Sequence, residues 1–312
     1  MAPTLERVTD DYRRLQATLS GDAAGRVAVA FETLLNPSDL DRTFPLYARA
    51  VAQIIAAARS ATALLAGAFY LAFREGSRVY GEVPPIAFAG ALPAARLTTS
   101  LLVTGPVTVK RSLTRGQSLE TAITRARVAT VGAAYRMTAD AGRATIRDTI
   151  RRDKVALGWA RVTDGDPCYF CAMLASRGPV YLSEGAAQGS DPYHDGCGCL
   201  PAPVFDRDAE WPGRAREFEA LWSESTEGLS GREAVNAFRR AHEGRRASAT
   251  GTTRRSRTPE RAKPREYDAA LLAQAREVDA RAYAAKKAGD DATASRLFAE
   301  AATVRRRAYG TT

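Results

Sequence analysis

The position of the cysteines constrains this chain more than any other feature of its sequence. All 4 cysteines of the 312 residues, and one of the 2 histidines, lie within residues 165–199. They form a C-x-x-C pair followed by an H-x-x-C-x-C group. The five residues are Cys168, Cys171, His194, Cys197 and Cys199. This is one more ligand than the four positions around a structural zinc ion require.

The spacing favours one set of ligands and leaves an alternative. Residues two apart in an extended chain point to opposite sides, so only one of Cys197 and Cys199 would reach a metal held by the C-x-x-C pair. Gly196 and Gly198 would allow the chain to bend and change this choice. We expect the ligands to be Cys168, Cys171, His194 and Cys199, with Cys197 as the alternative fourth ligand. Four protein ligands leave no position for water, which predicts a structural zinc ion and not a catalytic one.

Two other states of the cysteines compete with a zinc site: a pair of disulfides, or four reduced thiols with no common role. The first residues of the chain contain no apolar core of a secretory signal, so we expect synthesis in a reducing cytosol. Clustered cysteines in such a compartment bind metal more often than they form disulfides. The absence of cysteine elsewhere in the chain also favours a single metal site.

Residues 1–154 are rich in alanine and predict a mainly α-helical domain. One or two helices are expected over Val8–Leu35, and one helix each over Asp41–Arg74 and Ser118–Arg152, with Ser118 as the N-cap of the last. Glycine and proline predict two interruptions, over 81–93 and at Gly105-Pro106. Small residues spaced by three and four predict the packing face of the third helix. This face consists of Ile123, Ala126, Thr130, Ala133, Met137, Ala141 and Ala144.

The same region is not expected to cross a membrane. Its uncharged stretch Ser60–Phe73 has 14 residues, whereas a membrane-spanning helix needs roughly 20 apolar residues. We therefore interpret this stretch as part of a buried helix.

After Val155 the pattern changes to short apolar runs between turn residues. Runs at 157–162, 179–182 and 200–205 predict strands around the cysteines, and so a small zinc-stapled α+β module over 155–212. Three segments are expected to follow: a charged helix over 213–244, a flexible basic linker over 245–265, and a C-terminal helical hairpin over 266–312 that turns at Ala288-Gly289-Asp290.

The formal net charge of +10 is concentrated in the predicted linker. Arg245–Arg265 contains eight basic residues and one acidic residue, whereas the rest of the chain is close to neutral. We expect this segment either to make non-specific contacts with the phosphates of packaged DNA or to be a charged linker with no partner. It contains no aromatic residue that would stack on bases.

The cysteine segment resembles a known family of phage proteins. The matching stretches are Asp166-Pro167-Cys168-x-x-Cys171, Gly178-Pro179-Val180-Tyr181, Tyr193-His194-x-x-Cys197-x-Cys199 and Pro203-Val204-Phe205. This pattern is similar to that of the phage Mu protein F-like (MuF-like) minor head proteins, in the form found in actinobacteriophages. The motif covers about residues 155–206. The family usually has an arginine between the last two cysteines, where this chain has Gly198.

The resemblance implies a minor capsid protein with a structural role in head assembly and DNA packaging or delivery. It implies the portal protein or the major capsid protein, or both, as partners. It also implies a location in the virion, in the head interior or at the portal vertex, and in the host cytoplasm during assembly. An alternative from another class is a free zinc-binding protein associated with nucleic acid. Acidic residues around the cysteines argue against that alternative.

The sequence does not indicate an enzyme. No nucleophile elbow, phosphate-binding loop or dinucleotide fingerprint occurs in the sequence. His242 is the one histidine outside the cysteine segment, and its charged surroundings, NAFRRAHEGRR, predict a solvated helix face.

Overall fold

The computed structural model describes residues 4–178, 193–206, 213–249 and most of 270–308. The chain divides into two compact units. One comprises Met1–Gly105 with Arg127–Thr252, and the other comprises Pro106–Ala126 with Thr253–Thr312. The predicted cysteine module and the predicted helical domain, apart from Pro106–Ala126, thus lie in the same unit, with no division between units at 154/155. The described chain is mostly helical and has one small sheet, as the expected fold class requires.

Among the described residues, five α-helices precede the cysteine segment. They are α1 (Leu5–Leu34), α2 (Leu40–Gly76), α3 (Ala94–Leu102), α4 (Thr108–Thr114) and α5 (Leu119–Ile150). The three long predicted helices are therefore confirmed. At the start of α5, the Ser118 hydroxyl accepts the backbone N–H of Thr121 at 3.2 Å, which is the expected N-cap. Residues 81–93 contain no regular element, also as expected.

The predicted interruption at Gly105-Pro106 does not end the helical structure. The chain remains helical there and makes a π-helical turn, Val103–Val107, between α3 and α4. Proline lacks an N–H, so it disturbs the regular hydrogen bonding of an α-helix, and a wider turn is one way for a helix to continue past it.

The main core of the first unit lies between α1, α2, the end of α5 and the small sheet. Its buried side chains are Tyr12, Ala66, Phe69, Tyr70, Phe73, Ile146, Ile150, Trp159, Val162, Leu200 and Ala202. The predicted face of α5 is buried at Ala126, Thr130, Ala133, Met137 and Ala141, and half-buried at Ile123 and Ala144. Small residues on this face allow close helix packing. Next to this face, the packing is also close at Gly142, where a Cβ would lie 2.5 Å from the Tyr12 hydroxyl.

A buried ion pair lies at the edge of this core. Asp153 accepts hydrogen bonds from the Tyr70 hydroxyl at 2.6 Å and from Arg74 Nε at 3.0 Å. The side chains of Arg74 and Asp153 are 5% and 1% exposed. The pair joins the end of α2 to the residues just after α5.

Helix α2 is long and apolar enough to cross a membrane by length and composition alone. In this fold it buries Phe69, Tyr70 and Phe73 in the core and ends in the Arg74–Asp153 ion pair. These contacts are those of a core helix, which is the role that we expected for Ser60–Phe73.

The sheet consists of β1 (Gly158–Val162) and β2 (Leu200–Val204), which pair antiparallel. Both were expected. The third predicted strand, at 179–182, lies outside the described residues. Pro201 and Pro203 of β2 are opposite Arg161 and Trp159. Proline has no N–H to donate, and alternate pairs in an antiparallel ladder need none, so both prolines fit this register.

Helix α6 (Tyr169–Ala175) lies between the two strands in sequence, and α7 (Ala215–Thr226) and α8 (Gly231–Ala249) follow the sheet. The three helices share a second core that includes Ala172, Phe218, Leu221 and Phe238. The single charged helix predicted over 213–244 is wrong. The chain turns at Gly228, whose φ of +72° suits glycine, and starts a new helix at Gly231.

Helix α8 also extends into the predicted flexible linker. It ends at Ala249, so Arg245 and Arg246 are helical. Arg245 pairs with Glu224 at 2.8 Å, and Arg246 pairs with Asp166. The remaining basic residues of the segment lie outside the described residues.

The predicted C-terminal hairpin is visible in part. The described residues between 270 and 285 are helical, and α9 spans Asp291–Ala308. Val278 and Ala282 pack against Leu297 and Ala301. The Asp290 carboxylate accepts the backbone N–H of Thr293 at 3.0 Å, as an N-cap does, and this hydrogen bond lowers the pKa of Asp290.

Candidate metal centre

The C-x-x-C pair lies at the start of α6. Cys168 is the N-cap residue, and its sulfur accepts the backbone N–H of Cys171 at 3.4 Å. Because Cys171 lies in the first turn of the helix, both sulfurs face the same point. Cys171 is buried, and Cys168 is partly exposed.

The H-x-x-C-x-C group forms a tight turn just before β2. The Cys197 N–H donates to the His194 carbonyl oxygen at 3.1 Å, and Gly196 has a φ of +74°, a conformation that favours glycine. The turn brings His194 to the C-x-x-C pair. The His194 Nε2 atom lies 3.3 Å from the sulfur of Cys168 and 3.5 Å from that of Cys171.

The distances between the candidate ligand atoms fit a tetrahedral zinc site. With zinc–sulfur bonds of about 2.3 Å and zinc–nitrogen bonds of about 2.0 Å, tetrahedral ligands lie about 3.8 Å apart for two sulfurs and about 3.5 Å apart for sulfur and nitrogen. The structure has 3.3 and 3.5 Å for the two sulfur–nitrogen distances and 3.6 Å between the sulfurs of Cys171 and Cys197. The ligand atoms form two groups that share Cys171, one with Cys168 and His194 and the other with Cys197 and Cys199. Adding a fourth ligand to the first group therefore requires Cys197 or Cys199 to move closer to Cys168 and His194.

Both Cys197 and Cys199 lie near Cys171, so nearness to the C-x-x-C pair does not decide which of the two would reach a metal. The sulfurs of Cys171, Cys197 and Cys199 all lie within 4.8 Å of one another. The expectation that only one of them would reach a metal assumed an extended chain, whereas residues 195–199 form a turn and an irregular segment before β2. The two cysteines remain alternatives for the fourth ligand. The 3.6 Å distance from Cys171 favours Cys197.

The Nε2 atom of His194 is the ring nitrogen that faces the C-x-x-C pair. Its Nδ1 atom lies 2.9 Å from the Asp195 carbonyl oxygen. A carbonyl oxygen only accepts hydrogen bonds, so Nδ1 carries a hydrogen and Nε2 is the nitrogen left to bind a metal. A hydrogen bond of this kind orients metal-binding histidines in many proteins.

The cysteines affect one another's protonation. Hydrogen bonds from Cys171 and Cys199 lower the pKa of the Cys197 thiol to about 2. The corresponding hydrogen bonds, together with burial, raise the pKa of Cys171. A hydrogen bond from Cys171 lowers the pKa of Cys199, but its hydrogen bond to Cys197 and its burial outweigh this effect. Together they raise the pKa of Cys199 to about 12. The four thiols do not all ionise together without a cation, and a divalent metal ion would supply the missing positive charge.

Basic residues surround the cluster. Arg143 of α5 donates from Nε to the Cys199 carbonyl oxygen at 3.0 Å and from Nη2 to the Cys197 carbonyl oxygen at 2.5 Å. Arg161 of β1 lies with Nη1 4.0 Å from the sulfur of Cys171. Sequence analysis missed both arginines. Arg143 lies among small residues on its helix and Arg161 among apolar residues on its strand. These neighbours were the signal in the sequence that could have revealed them.

Gly198, where the similar family usually has arginine, lies against Asp164. The Gly198 N–H donates to Asp164 Oδ2 at 3.2 Å. A Cβ at this position would lie 2.7 Å from the same oxygen. The close approach explains why a residue without a side chain fits here.

His242 is not on a solvated helix face, and the prediction that placed it there is wrong. The side chain is 4% exposed and packs between Phe218 and Phe238, with ring centroids 5.8 and 6.1 Å away. Its Nδ1 atom has no hydrogen-bond partner among the described residues. Burial and the charges of Arg246 and Arg214 lower the pKa of His242.

Comparison with known proteins places the chain among phage proteins. The family model of the VG15 protein matches residues 4–225. The chain is 33% identical over 144 residues to the Gene 15 protein of Mycobacterium phage D29, which is 36% of this chain and 50% of that protein. It is 30% identical over 137 residues to the Gene 15 protein of Mycobacterium phage L5, which is 30% of this chain and 46% of that protein. The matches thus span about half the length of these curated relatives. No solved structure matches the chain.

Proposed function

Because the chain belongs to the VG15 family of phage proteins, we propose that it is a minor capsid protein. Its role is structural: it acts in head morphogenesis and in DNA packaging or delivery, in contact with the portal protein, the major capsid protein or both. It resides in the virion, in the head interior or at the portal vertex, after assembly in the host cytoplasm.

The observation that carries this proposal is the cluster formed by Cys168, Cys171, His194, Cys197 and Cys199. The cysteines and the histidine of the stretches that resemble the MuF-like minor head proteins come together in two groups that share Cys171. Similar spacing in the sequence would not by itself bring these side chains together. The family match over residues 4–225 includes the whole cluster and the helices that support it.

Within this proposal, the cluster binds one structural zinc ion. Cys168, Cys171 and His194 are three of its ligands, and Cys197 or Cys199 is the fourth. The set of soft sulfur and imidazole ligands is the one that zinc prefers. The sheet beside the cluster has only two strands of five residues each, and such a small sheet gains stability when a metal joins its ends.

The basic segment Arg245–Arg265 gives the proposed protein a means to touch packaged DNA. Its charge would support non-specific phosphate contacts that weaken as salt is added. In the alternative proposal, the protein is a free zinc-binding, nucleic-acid-associated protein. The pairing of Arg245 and Arg246 with Glu224 and Asp166 disfavours this alternative, because it leaves less positive charge next to the cluster.

The proposal is tested by the copy number of the chain in purified particles of the phage that encodes it. Quantitative mass spectrometry would compare the chain with the portal protein and the major capsid protein. We expect a few to a dozen or so copies per particle. Absence from particles, with abundant protein in the lysate of infected cells, would overturn the virion role and favour the alternative.

A further inference from the structure

Two arginine side chains are buried beside the candidate metal centre. Arg143 and Arg161 are each 1% exposed. Their guanidinium carbons lie 3.8 and 4.1 Å from the ring centroid of Tyr193, the residue before His194. Burial of a guanidinium is costly unless negative charge or acceptors lie close to it. Two such groups at one point therefore indicate a concentration of negative charge.

The acceptors of Arg143 are part of the metal-binding turn. The guanidinium spans the carbonyl oxygens of Cys197 and Cys199, and its third nitrogen pairs with Asp140 at 2.9 Å. Because Arg143 projects from α5, these bonds fix the turn to that helix. The position of two candidate ligands thus depends on a residue from the helical core.

With a metal ion bound, the sulfurs would supply negative charge near Arg161. A zinc ion with three thiolates and one neutral imidazole carries a net charge of minus one, and the charge resides mainly on the sulfurs. Arg161 Nη1 is 4.0 Å from the sulfur of Cys171, close enough for a charge-assisted contact that solvent screens little in a buried site.

We propose that Arg161 and Arg143 are positioning residues for the metal centre. Arg161 offsets the charge of the metal–thiolate group at Cys171, and Arg143 holds the backbone of Cys197 and Cys199 against α5. This inference rests on the proposed zinc site. It assigns the affinity for metal partly to residues outside the cysteine segment, which the ligand spacing does not reveal.

The test measures zinc affinity in the full-length chain by competition with a chromophoric chelator. The variants are Arg161→Met, which removes the charge, and Arg161→Lys, which keeps it. The control is Arg246→Met, because Arg246 is 43% exposed and pairs with Asp166 next to the C-x-x-C pair. The melting temperature of each metal-free variant shows whether it folds. If Arg161→Met does not fold, Arg161→Gln is used in its place.

We expect Arg161→Met to weaken zinc binding by about 10–100-fold, the usual effect of removing a group that supports a metal ligand. Arg161→Lys is expected to restore most of the affinity, and Arg246→Met to leave it unchanged. Equal loss in the Met and Lys variants would overturn the charge role, since packing alone would then explain it. Unchanged affinity in Arg161→Met would also overturn the inference. A wild-type chain that binds no zinc would instead overturn the zinc site itself.

Discussion

The buried carboxylate of Asp153 offers a quantitative test of the fold. In Asp153→Ala, Arg74 stays buried without its carboxylate, and the Tyr70 hydroxyl loses its acceptor. Breaking a buried ion pair costs about 3–5 kcal/mol. Arg74 still donates to the carbonyl oxygens of Val79 and Glu82, so we expect the lower part of this range, about 3–4 kcal/mol. For a unit of this size the melting temperature falls by about 10 °C.

A matched control is available close by. Asp148→Ala removes a carboxylate from α5 that pairs with Arg151, but these side chains are 41% and 53% exposed. Exposed pairs contribute at most about 1 kcal/mol. Urea unfolding followed by far-UV circular dichroism would compare both variants with wild type. A loss below about 1 kcal/mol in Asp153→Ala, or equal losses in the two variants, would refute the reasoning about burial.

Three further predictions concern packing, ligand choice and pH. Gly142→Ala should lower the free energy of unfolding by about 1–3 kcal/mol, because its Cβ would overlap Tyr12. Gly25→Ala, at an exposed helical site with nothing within 4 Å, should raise the free energy of unfolding by up to about 1 kcal/mol. If both substitutions stabilise the protein, the close packing at Gly142 would be contradicted. Cys197→Ala should lose most zinc affinity in a chelator competition and Cys199→Ala less, and the reverse result would make Cys199 the ligand. His242 is buried with a lowered pKa, so the unfolded chain binds its proton first, and stability should fall as the pH drops below about 6.5. His242→Phe should abolish that part of the pH dependence in urea unfolding, and an unchanged dependence would contradict the assignment.

The long helices and the strands could be predicted because their signals are local. Apolar residues repeat with the period of a helix in α1, α2 and α5, and Ser118 caps α5 as its residue type suggests. The two strands follow from short apolar runs. The C-x-x-C pair was predictable for the same reason, since its spacing places two sulfurs together whatever the rest of the chain does.

The errors arise where packing at a distance decides the outcome. His242 is surrounded by charged residues in sequence, but it follows Phe238 by one helical turn and faces the core that Phe218 also enters. The break between α7 and α8 did have a local signal. Ser230 and Glu233 form the S-x-x-E pattern that often starts a helix.

The choice between Cys197 and Cys199 could not be made from spacing. The alternation rule applies to an extended strand, and the strand begins only at Leu200. The burial of Arg143 and Arg161 had a signal in their small or apolar neighbours, although arginine is usually a surface residue. Their roles had none, because nothing in the sequence shows which carbonyl oxygens and sulfurs fold against them.

The central structural claim is that four of the five clustered side chains hold one zinc ion. The most direct measurement is the metal content of the full-length chain, purified without a metal-affinity tag, by inductively coupled plasma mass spectrometry. We predict one zinc ion per wild-type chain and none in a variant that replaces both Cys168 and Cys171 with serine. Folded wild-type protein that contains no metal, and takes up none when zinc is added, would contradict the claim.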